Sequence, residues 1–198
     1  MVERQLRRRG IDDERVLAAM ATVPRELFLP PEQRRRAYRD GAVRIGEGQT
    51  MSQPWIVACM AQLLELEGTE TVLEVGTGSG YAAAVLSLLA REVITIERYE
   101  SLAVQAEQAL HELGFDNVVV GVGDGSLGAP ERGPFGGISV TATARDEPPP
   151  ALLEQLAPGA ALVCPVERGG HESLIRFRDG EEEVVAGVRF VPLVTGEP

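Results

Sequence analysis

A glycine-rich turn between an apolar run and a helix-forming run is the strongest chemical signal in this sequence. The apolar run 71–75 leads into Gly76, Gly78 and Gly80, and the helix-forming run 82–90 follows. Glycine lets the backbone approach a ligand where a Cβ atom would collide. A strand, a tight glycine turn and a helix are typical of the start of a nucleotide-binding α/β unit. The G-x-G-x-G spacing departs from the dinucleotide G-x-G-x-x-G pattern, which disfavours a nicotinamide oxidoreductase.

Polar residues also stand at the ends of the next three predicted strands. Glu97 lies 21 residues after Gly76, where an acid can accept hydrogen bonds from both hydroxyls of a ribose. Asp124 lies between two glycines; it could accept from the amine of an adenine, or form an ordinary Asp-Gly turn. Thr141 could either contact the ligand or cap a helix. Because ligands of open α/β sheets bind outside the carboxyl ends of the strands, we expect these residues to share one crevice.

A polar segment, 46–54, precedes an apolar helix predicted from Trp55 to Leu66. Thr50 or Ser52 could cap the N-terminus of this helix, since hydroxyl oxygens accept hydrogen bonds from its first amides. The segment could instead border a binding site. The pattern of residue types alone leaves both interpretations open.

Strand and helix patterns alternate along most of the chain. The predicted strands are 71–75, 92–97, 117–122, 137–142, 160–166, 172–178 and 183–191, and the predicted helices are 3–9, 13–22, 55–66, 80–90, 99–113 and 150–157. Residues 40–54 are predicted to be an ordered loop. Repeated βα units indicate an α/β protein with a mainly parallel, twisted sheet, helices on both faces and extra N-terminal helices. The tight connections between the last three strands predict an antiparallel edge.

The composition predicts one globular domain. The chain has 198 residues, of which 44% are hydrophobic, enough for a sizeable core. We expect a single domain, 1–198, with N-terminal helices and a site loop in 1–54 and the ligand-binding α/β core in 55–198. No apolar run reaches the roughly 18–20 residues of a membrane span, and the charged residues 1–10 do not resemble a signal peptide. We therefore expect a cytoplasmic protein without a membrane partner.

The net charge of −11 is unevenly distributed. Two arginine triplets, Arg7–Arg9 and Arg34–Arg36, could contact nucleic acid or form solvated helix faces. They lack the interleaved aromatic residues of single-strand binders, and residues 51–198 are strongly acidic, so we expect no nucleic-acid partner. Cys59 and Cys164 lie in apolar runs and are expected to be buried. No His or Cys cluster has the spacing of metal ligands, so no metal is expected.

The whole chain resembles the protein-L-isoaspartate O-methyltransferase family, which belongs to the class I S-adenosylmethionine methyltransferases with a Rossmann-like fold. The resemblance lies in Val23–Phe28, Ala37–Asp40, Gly46–Pro54, Leu73–Tyr81 and Phe190–Leu193. It runs in order from about residue 2 to residue 193. The Thr-x-Ser-Gln-Pro pattern within 50–54 is specific to this family, whereas the glycine turn is shared by many enzymes that use S-adenosylmethionine.

The resemblance implies a role for each matching residue. Ser52 would be the catalytic residue beside the methyl donor, S-adenosylmethionine. The residues expected to border that cofactor are Gln49, Thr50, Met51, Ser52, Glu74, Gly76, Thr77, Gly78, Ser79, Glu97, Arg98, Asp124, Gly125 and Thr141. Those expected to contact the substrate are Ile45, Gly46, Gln53, Val191, Pro192 and Leu193.

The implied reaction is methylation of the free α-carboxylate of L-isoaspartyl residues in damaged proteins and peptides, by a monomeric enzyme. The ester would then close to a succinimide, which begins repair. A carboxylate, with an unperturbed pKa near 4, is already a nucleophile at neutral pH, so no strong general base is required. This suits a chain whose only histidines are His111 and His171.

Three alternatives remain open at this stage. The chain could methylate one dedicated peptide, bind S-adenosylmethionine without transferring its methyl group, or methylate nucleic acid, although its acidity and Thr141-Ala142 at the fourth strand end disfavour the last. One departure from the family pattern also needs an explanation. Gly136 follows Phe135, where the family usually has Asp.

Overall fold

The computed structural model describes residues 1–196 and contains five α-helices and ten strands within that range. The helices are α1 (Glu14–Thr22), α2 (Pro54–Leu63), α3 (Tyr81–Ser87), α4 (Glu100–Glu112) and α5 (Pro150–Glu154). The strands are β1 (Val43–Arg44), β2 (Thr50–Met51), β3 (Thr71–Val75), β4 (Glu92–Glu97), β5 (Val118–Val122), β6 (Phe135–Val140), β7 (Ala144–Arg145), β8 (Leu156–Arg168), β9 (His171–Arg178) and β10 (Glu181–Gly187).

One large sheet organises the molecule, with the strand order β10-β9-β8-β6-β3-β4-β5. Strands β8, β6, β3, β4 and β5 are parallel, whereas β9 and β10 pair antiparallel at one edge. The predicted mainly parallel sheet with an antiparallel edge is therefore confirmed. The carboxyl ends of β3, β4, β5 and β6 meet on one side, which places the polar residues at those ends near one another.

The sheet is covered on both faces because successive strand residues point to opposite sides. In β3, Val72 packs with residues of α1, α2 and α3, whereas Leu73 and Val75 pack with Leu152 of α5. Cys59 and Cys164 are buried, as predicted. Among the helices of residues 1–196, none combines the length and apolarity that a bilayer crossing requires.

Several element boundaries differ from the predictions. Residues 3–9 form a π-helical turn followed by a 3-10 turn that ends at Gly10, rather than a regular helix. The predicted strand 160–166 is part of the longer β8, and the predicted strand 183–191 is regular only as β10. The predicted loop 40–54 contains a small hairpin in which β1 pairs with β2. Two-residue strands leave too little periodicity to be recognised in a sequence.

Gly136 makes room for the side chain of Glu70. A Cβ atom at this position would lie 2.5 Å from Glu70 Cγ and 2.6 Å from Glu70 Cβ. The Glu70 carboxylate accepts hydrogen bonds from the amides of Glu67, Gly68 and Thr69 at 2.8–2.9 Å, which holds the turn before β3. At this departure from the family pattern, the space beside Gly136 is therefore filled by the β- and γ-carbons of Glu70.

We expect Gly136→Ala to lower the free energy of unfolding by about 1–3 kcal/mol, because the new methyl group overpacks this site. Urea denaturation would measure the loss. The matched control is Gly41→Ala, since a Cβ atom at Gly41 meets no atom within 4 Å. The cost should shrink in a Glu70→Gly background, and an equal cost in both backgrounds would contradict this explanation.

Candidate active site

A cavity of about 460 Å³ lies at the carboxyl ends of the parallel strands. The predicted site residues that line it are Gln49, Thr50, Met51, Ser52, Gln53, Gly76, Thr77, Gly78, Ser79, Glu97, Arg98, Gly125, Thr141, Val191, Pro192 and Leu193. The structure thus brings together segments that are far apart in the sequence. Four predicted residues, Ile45, Gly46, Glu74 and Asp124, lie outside the lining, so direct ligand contact by them stays a prediction.

The glycine turn between β3 and α3 is held in place by Thr141. The Thr141 hydroxyl donates to the carbonyls of Val75 and Gly76, at 3.0 and 2.8 Å as alternatives, and its amide donates to Val75 at 2.8 Å. Gly76 has φ 93°, and a Cβ atom there would lie 2.3 Å from Thr141 Oγ1. Only glycine therefore fits between the turn and the end of β6. Thr141 fixes the turn, a role that differs from the helix cap considered above.

The carboxylate of Glu97 forms part of the cavity wall and is oriented by two backbone amides. Its Oε2 accepts from the Gly78 amide at 2.8 Å, and its Oε1 accepts from the Tyr99 amide at 3.0 Å. Glu97 is only 5% exposed. Because a carboxylate has about four acceptor positions, two remain for hydroxyl donors of a ligand.

Glu74 lies in the floor beneath the glycine turn, in a hydrogen-bonded chain of side chains. Thr95 donates to Glu74 Oε2 at 2.6 Å, and the hydroxyls of Thr95 and Thr77 are 2.6 Å apart. Glu74 Oε1 is buried without a hydrogen-bond partner among the described residues. Burial raises the pKa of Glu74 to about 8. The hydrogen bond from Thr95 lowers this pKa, and the negative charge of Glu97 raises it further. Burial therefore favours the neutral, protonated form of the Glu74 carboxyl.

This pKa predicts how the stability of the protein depends on pH. Between the unfolded value of 4.5 and the folded value of about 8, the native state holds a proton that the unfolded state has lost. The free energy of unfolding should therefore fall as the pH rises through this window, by up to about 1.4 kcal/mol per unit. We expect Glu74→Gln, which stays neutral, to flatten the slope in urea denaturation between pH 5 and 8. Parallel curves for the two proteins would contradict the assignment.

The β1–β2 hairpin presents Ser52 to the cavity. The N-cap of α2 is Gln53, no side chain caps the helix, and Pro54 occupies its first turn. The interpretation of Thr50 or Ser52 as a helix cap is therefore wrong. Within residues 1–196 the Ser52 hydroxyl has no hydrogen-bond partner, so it is available to a ligand.

The carboxylate of Asp124 accepts hydrogen bonds from other residues of the chain. Its Oδ1 accepts from the amide and hydroxyl of Ser126, and its Oδ2 accepts from the Gly196 amide at 2.6 Å. Gly125 lines the cavity instead. The neighbouring Arg98 donates to the carbonyl of Val194 at 3.1 Å. The end of the described chain is thus fastened beside the predicted adenine position.

The segment 188–194 crosses the cavity and forms another part of its wall. The Thr143 amide donates to the Val191 carbonyl, and the Leu193 amide donates to the Thr143 carbonyl, both at 2.8 Å. The amide of Phe190 donates to Glu172 at 2.9 Å. These bonds fix backbone groups of the predicted substrate segment relative to the sheet.

The sequence analysis missed several residues of the wall, notably Arg9, Trp55, Tyr81 and Arg189. The Arg9 guanidinium lies 4.5 Å from the centre of the Trp55 ring and pairs with Asp40 at 3.3 Å. Arg9 belongs to a triplet that was interpreted as a solvated face or a nucleic-acid contact. Trp55 next to the family loop is the one signal that could have indicated this wall.

Comparisons with known proteins agree with this geometry. A family model described as protein-L-isoaspartate(D-aspartate) O-methyltransferase (PCMT) matches residues 1–198. The chain belongs to this family. It is 50% identical over 198 residues to protein-L-isoaspartate O-methyltransferase 1 of Syntrophobacter fumaroxidans, covering 98% of this chain and 92% of the relative. It is 53% identical over 203 residues to protein-L-isoaspartate O-methyltransferase 2 of Marinobacter nauticus, covering 100% of this chain and 92% of the relative.

A solved PCMT structure has the same fold. It is described as a beta-aspartate methyltransferase from Plasmodium falciparum in complex with S-adenosyl-L-homocysteine, and it superposes with a TM-score of 0.83. The identity is 26%, and the match covers 96% of this chain and 95% of the other. The predicted Rossmann-like fold, the assignment as a protein-L-isoaspartate O-methyltransferase and the cofactor S-adenosylmethionine are thereby confirmed.

Proposed function

We propose that this chain methylates the free α-carboxylate of L-isoaspartyl residues in damaged proteins, with Ser52 as the catalytic residue. The observation that carries this proposal is the Ser52 hydroxyl, which has no hydrogen-bond partner within residues 1–196 and lines the same cavity as the glycine turn and Glu97. Methyl transfer requires the acceptor and the donor to be side by side. A free hydroxyl next to a nucleotide-type pocket meets that requirement.

The residues of the cavity fit S-adenosylmethionine. Gly76 and Gly78 would border its methionine part, Glu97 would accept from its ribose, and Gly125 would border its adenine. The backbone at Gly76 is exposed to the cavity and has no space for a Cβ atom, and the Glu97 carboxylate has acceptor positions to spare. When bound, the cofactor supplies an electrophilic methyl group on a sulfonium.

The chain has to orient the acceptor carboxylate and exclude water from it. The Ser52 hydroxyl would donate a hydrogen bond to one carboxylate oxygen and leave the other free to form the new bond to carbon. The walls at Trp55, Phe190 and Pro192 provide apolar surface around this position. Removing water from a carboxylate raises its reactivity, because the hydration shell no longer stabilises its charge. No residue has to remove a proton, since the acceptor is ionised at neutral pH.

Replacement of Ser52 by Ala tests this proposal. We expect the mutant to lose at least tenfold in methyl transfer from labelled S-adenosylmethionine to an L-isoaspartyl peptide, because the acceptor loses its orienting donor. Cofactor affinity and melting temperature should change little, since within residues 1–196 the hydroxyl makes no hydrogen bond that the mutant would lose. Thr22→Ala is the matched control, because the exposed Thr22 hydroxyl donates to the Ala18 carbonyl of its own helix, α1. A Ser52→Ala enzyme with normal specific activity would remove Ser52 from the catalytic role.

The finer properties of the protein are also proposals. We propose that residues 1–198 act as one domain, since Leu6 and Val16 belong to the same hydrophobic cluster as Val72 and Val93. We further propose a cytoplasmic monomer that acts on proteins rather than on nucleic acid, and the net charge of −11 supports the last point. Base-labile label on an isoaspartyl peptide would exclude a cofactor-binding module without transfer activity.

A further inference from the structure

Arg25 is a buried cation that has no acidic partner in the part of the chain that the structure describes. It is 0% exposed, and within residues 1–196 it forms no ion pair with a carboxylate. Its Nη1 is buried without a hydrogen-bond partner in that range. Burying a charge without an opposite charge is costly, and an apolar side chain of similar size would usually be more stable. Its presence therefore calls for a reason other than stability.

The other two nitrogens of the Arg25 guanidinium donate to two separate segments beside the cavity. Nε donates to the Ala37 carbonyl at 2.7 Å, and Nη2 donates to the Ser52 carbonyl at 2.6 Å. The guanidinium also lies 4.5 Å from the centre of the Tyr81 ring. Tyr81 is the first residue of α3, directly after the glycine turn. One rigid, planar group thus connects the backbone of Ser52 to the element that carries the cofactor turn.

We propose that Arg25 is a positioning residue that sets the Ser52 hydroxyl relative to the glycine turn. This inference rests on the catalytic role proposed for Ser52. The peptide carbonyl that Arg25 holds belongs to Ser52 itself, so a shift of the guanidinium moves the residue that carries the hydroxyl. Methyl transfer depends on close alignment, and a displacement of about 1 Å can cost up to a hundredfold in rate. Arg25 acts through Ser52 and does not line the cavity.

Arg25→Lys tests this role, because an ammonium group keeps the charge but cannot hold both carbonyls and stack on Tyr81 in the same geometry. We expect kcat on an L-isoaspartyl peptide to fall roughly ten- to hundredfold. The Kd of S-adenosylmethionine, measured by calorimetry, and the KM of the peptide should stay within about threefold, since their binding groups remain. The substitution is therefore expected to lower kcat and to leave both affinities nearly unchanged.

Phe28→Leu is the matched control for lost stability. Phe28 ends the same 3-10 turn as Arg25, packs on the same Tyr81 ring with centroids 5.8 Å apart, and is 4% exposed. It does not contact Ser52 by a hydrogen bond. We expect this variant to lose melting temperature while its kcat per folded molecule stays within twofold. An Arg25→Lys enzyme that behaves in the same way would overturn the inference.

A second measurement needs no variant and covers the case in which Arg25→Lys does not fold. In the native protein with S-adenosylhomocysteine, the Nε proton of Arg25 should exchange slowly with water. Its ¹⁵N–¹H signal should change in chemical shift when an isoaspartyl peptide is added. An Arg25 Nε signal whose chemical shift does not change when the peptide is added would also overturn the inference. Failure of the proposed function has a different result, namely a native enzyme that does not methylate the isoaspartyl peptide at all.

Discussion

An L-isoaspartyl peptide should be methylated at least roughly a thousandfold faster than the L-aspartyl peptide of the same sequence. In isoaspartate the reacting carboxylate is attached to the α-carbon, and the main chain continues through the side-chain carbonyl. In aspartate the carboxylate is at the end of the side chain of an ordinary backbone. The peptide amides therefore lie in different places relative to the reacting oxygen.

Hydrogen bonds fix the backbone groups beside the cavity, so that these groups can distinguish the two positions of the peptide amides. Thr143 fixes Val191 and Leu193 by two hydrogen bonds, and the β1–β2 hairpin fixes the approach to Gln53. A wrong substrate would leave some of these groups unpaired and buried, which is how polar sites discriminate by several orders of magnitude. Initial rates with labelled S-adenosylmethionine on the two peptides would measure the ratio.

The control is a peptide with asparagine at the same position, which has no free carboxylate there and should take up no label. Comparable rates on the isoaspartyl and aspartyl peptides would contradict the repair function and favour an enzyme for one dedicated peptide. Methylation of neither peptide would favour a module without transfer activity.

Glu97→Ala should weaken the binding of S-adenosylmethionine by roughly 1.5–3 kcal/mol, or about 10- to 150-fold in Kd. In the proposed binding mode, the mutant would leave the ribose hydroxyls without their acceptor. It also removes the acceptor of the Gly78 amide, so the glycine turn loses one of its supports. Both effects act in the same direction, and titration calorimetry would measure their sum.

Glu92→Ala is the matched control, because Glu92 begins the same strand whose end carries Glu97. Its carboxylate pairs with Arg132 at 2.7 Å, far from the cavity lining. We expect an unchanged Kd for this variant. A Glu97→Ala protein that binds the cofactor as tightly as the native one would exclude Glu97 from the ribose position.

Local patterns predicted much of the fold and several of the residues that line the cavity at the strand ends. A short apolar run that leads into a glycine turn and then a helix-forming run predicts a strand, a tight connection and a helix. The same logic placed Glu97 and Gly125 at neighbouring strand ends, because parallel strands share one edge for their carboxyl ends. The site loop around Ser52 was found from its family pattern, which a general chemical argument could not have supplied.

The tertiary structure alone decided the contacts between residues that are distant in the chain. The Gly196 amide donates a hydrogen bond to the Asp124 carboxylate, 72 positions away in the chain. The side chain of Glu70 fills the space beside Gly136, and the Arg25 guanidinium donates to the carbonyl of Ser52. Whether such groups meet depends on how whole elements pack, and no short sequence window records that packing. Arg25 illustrates the difference most clearly. In the sequence it is only one residue of the family-resembling segment Val23–Phe28, whereas its burial and bonds follow from the packing of three separate segments.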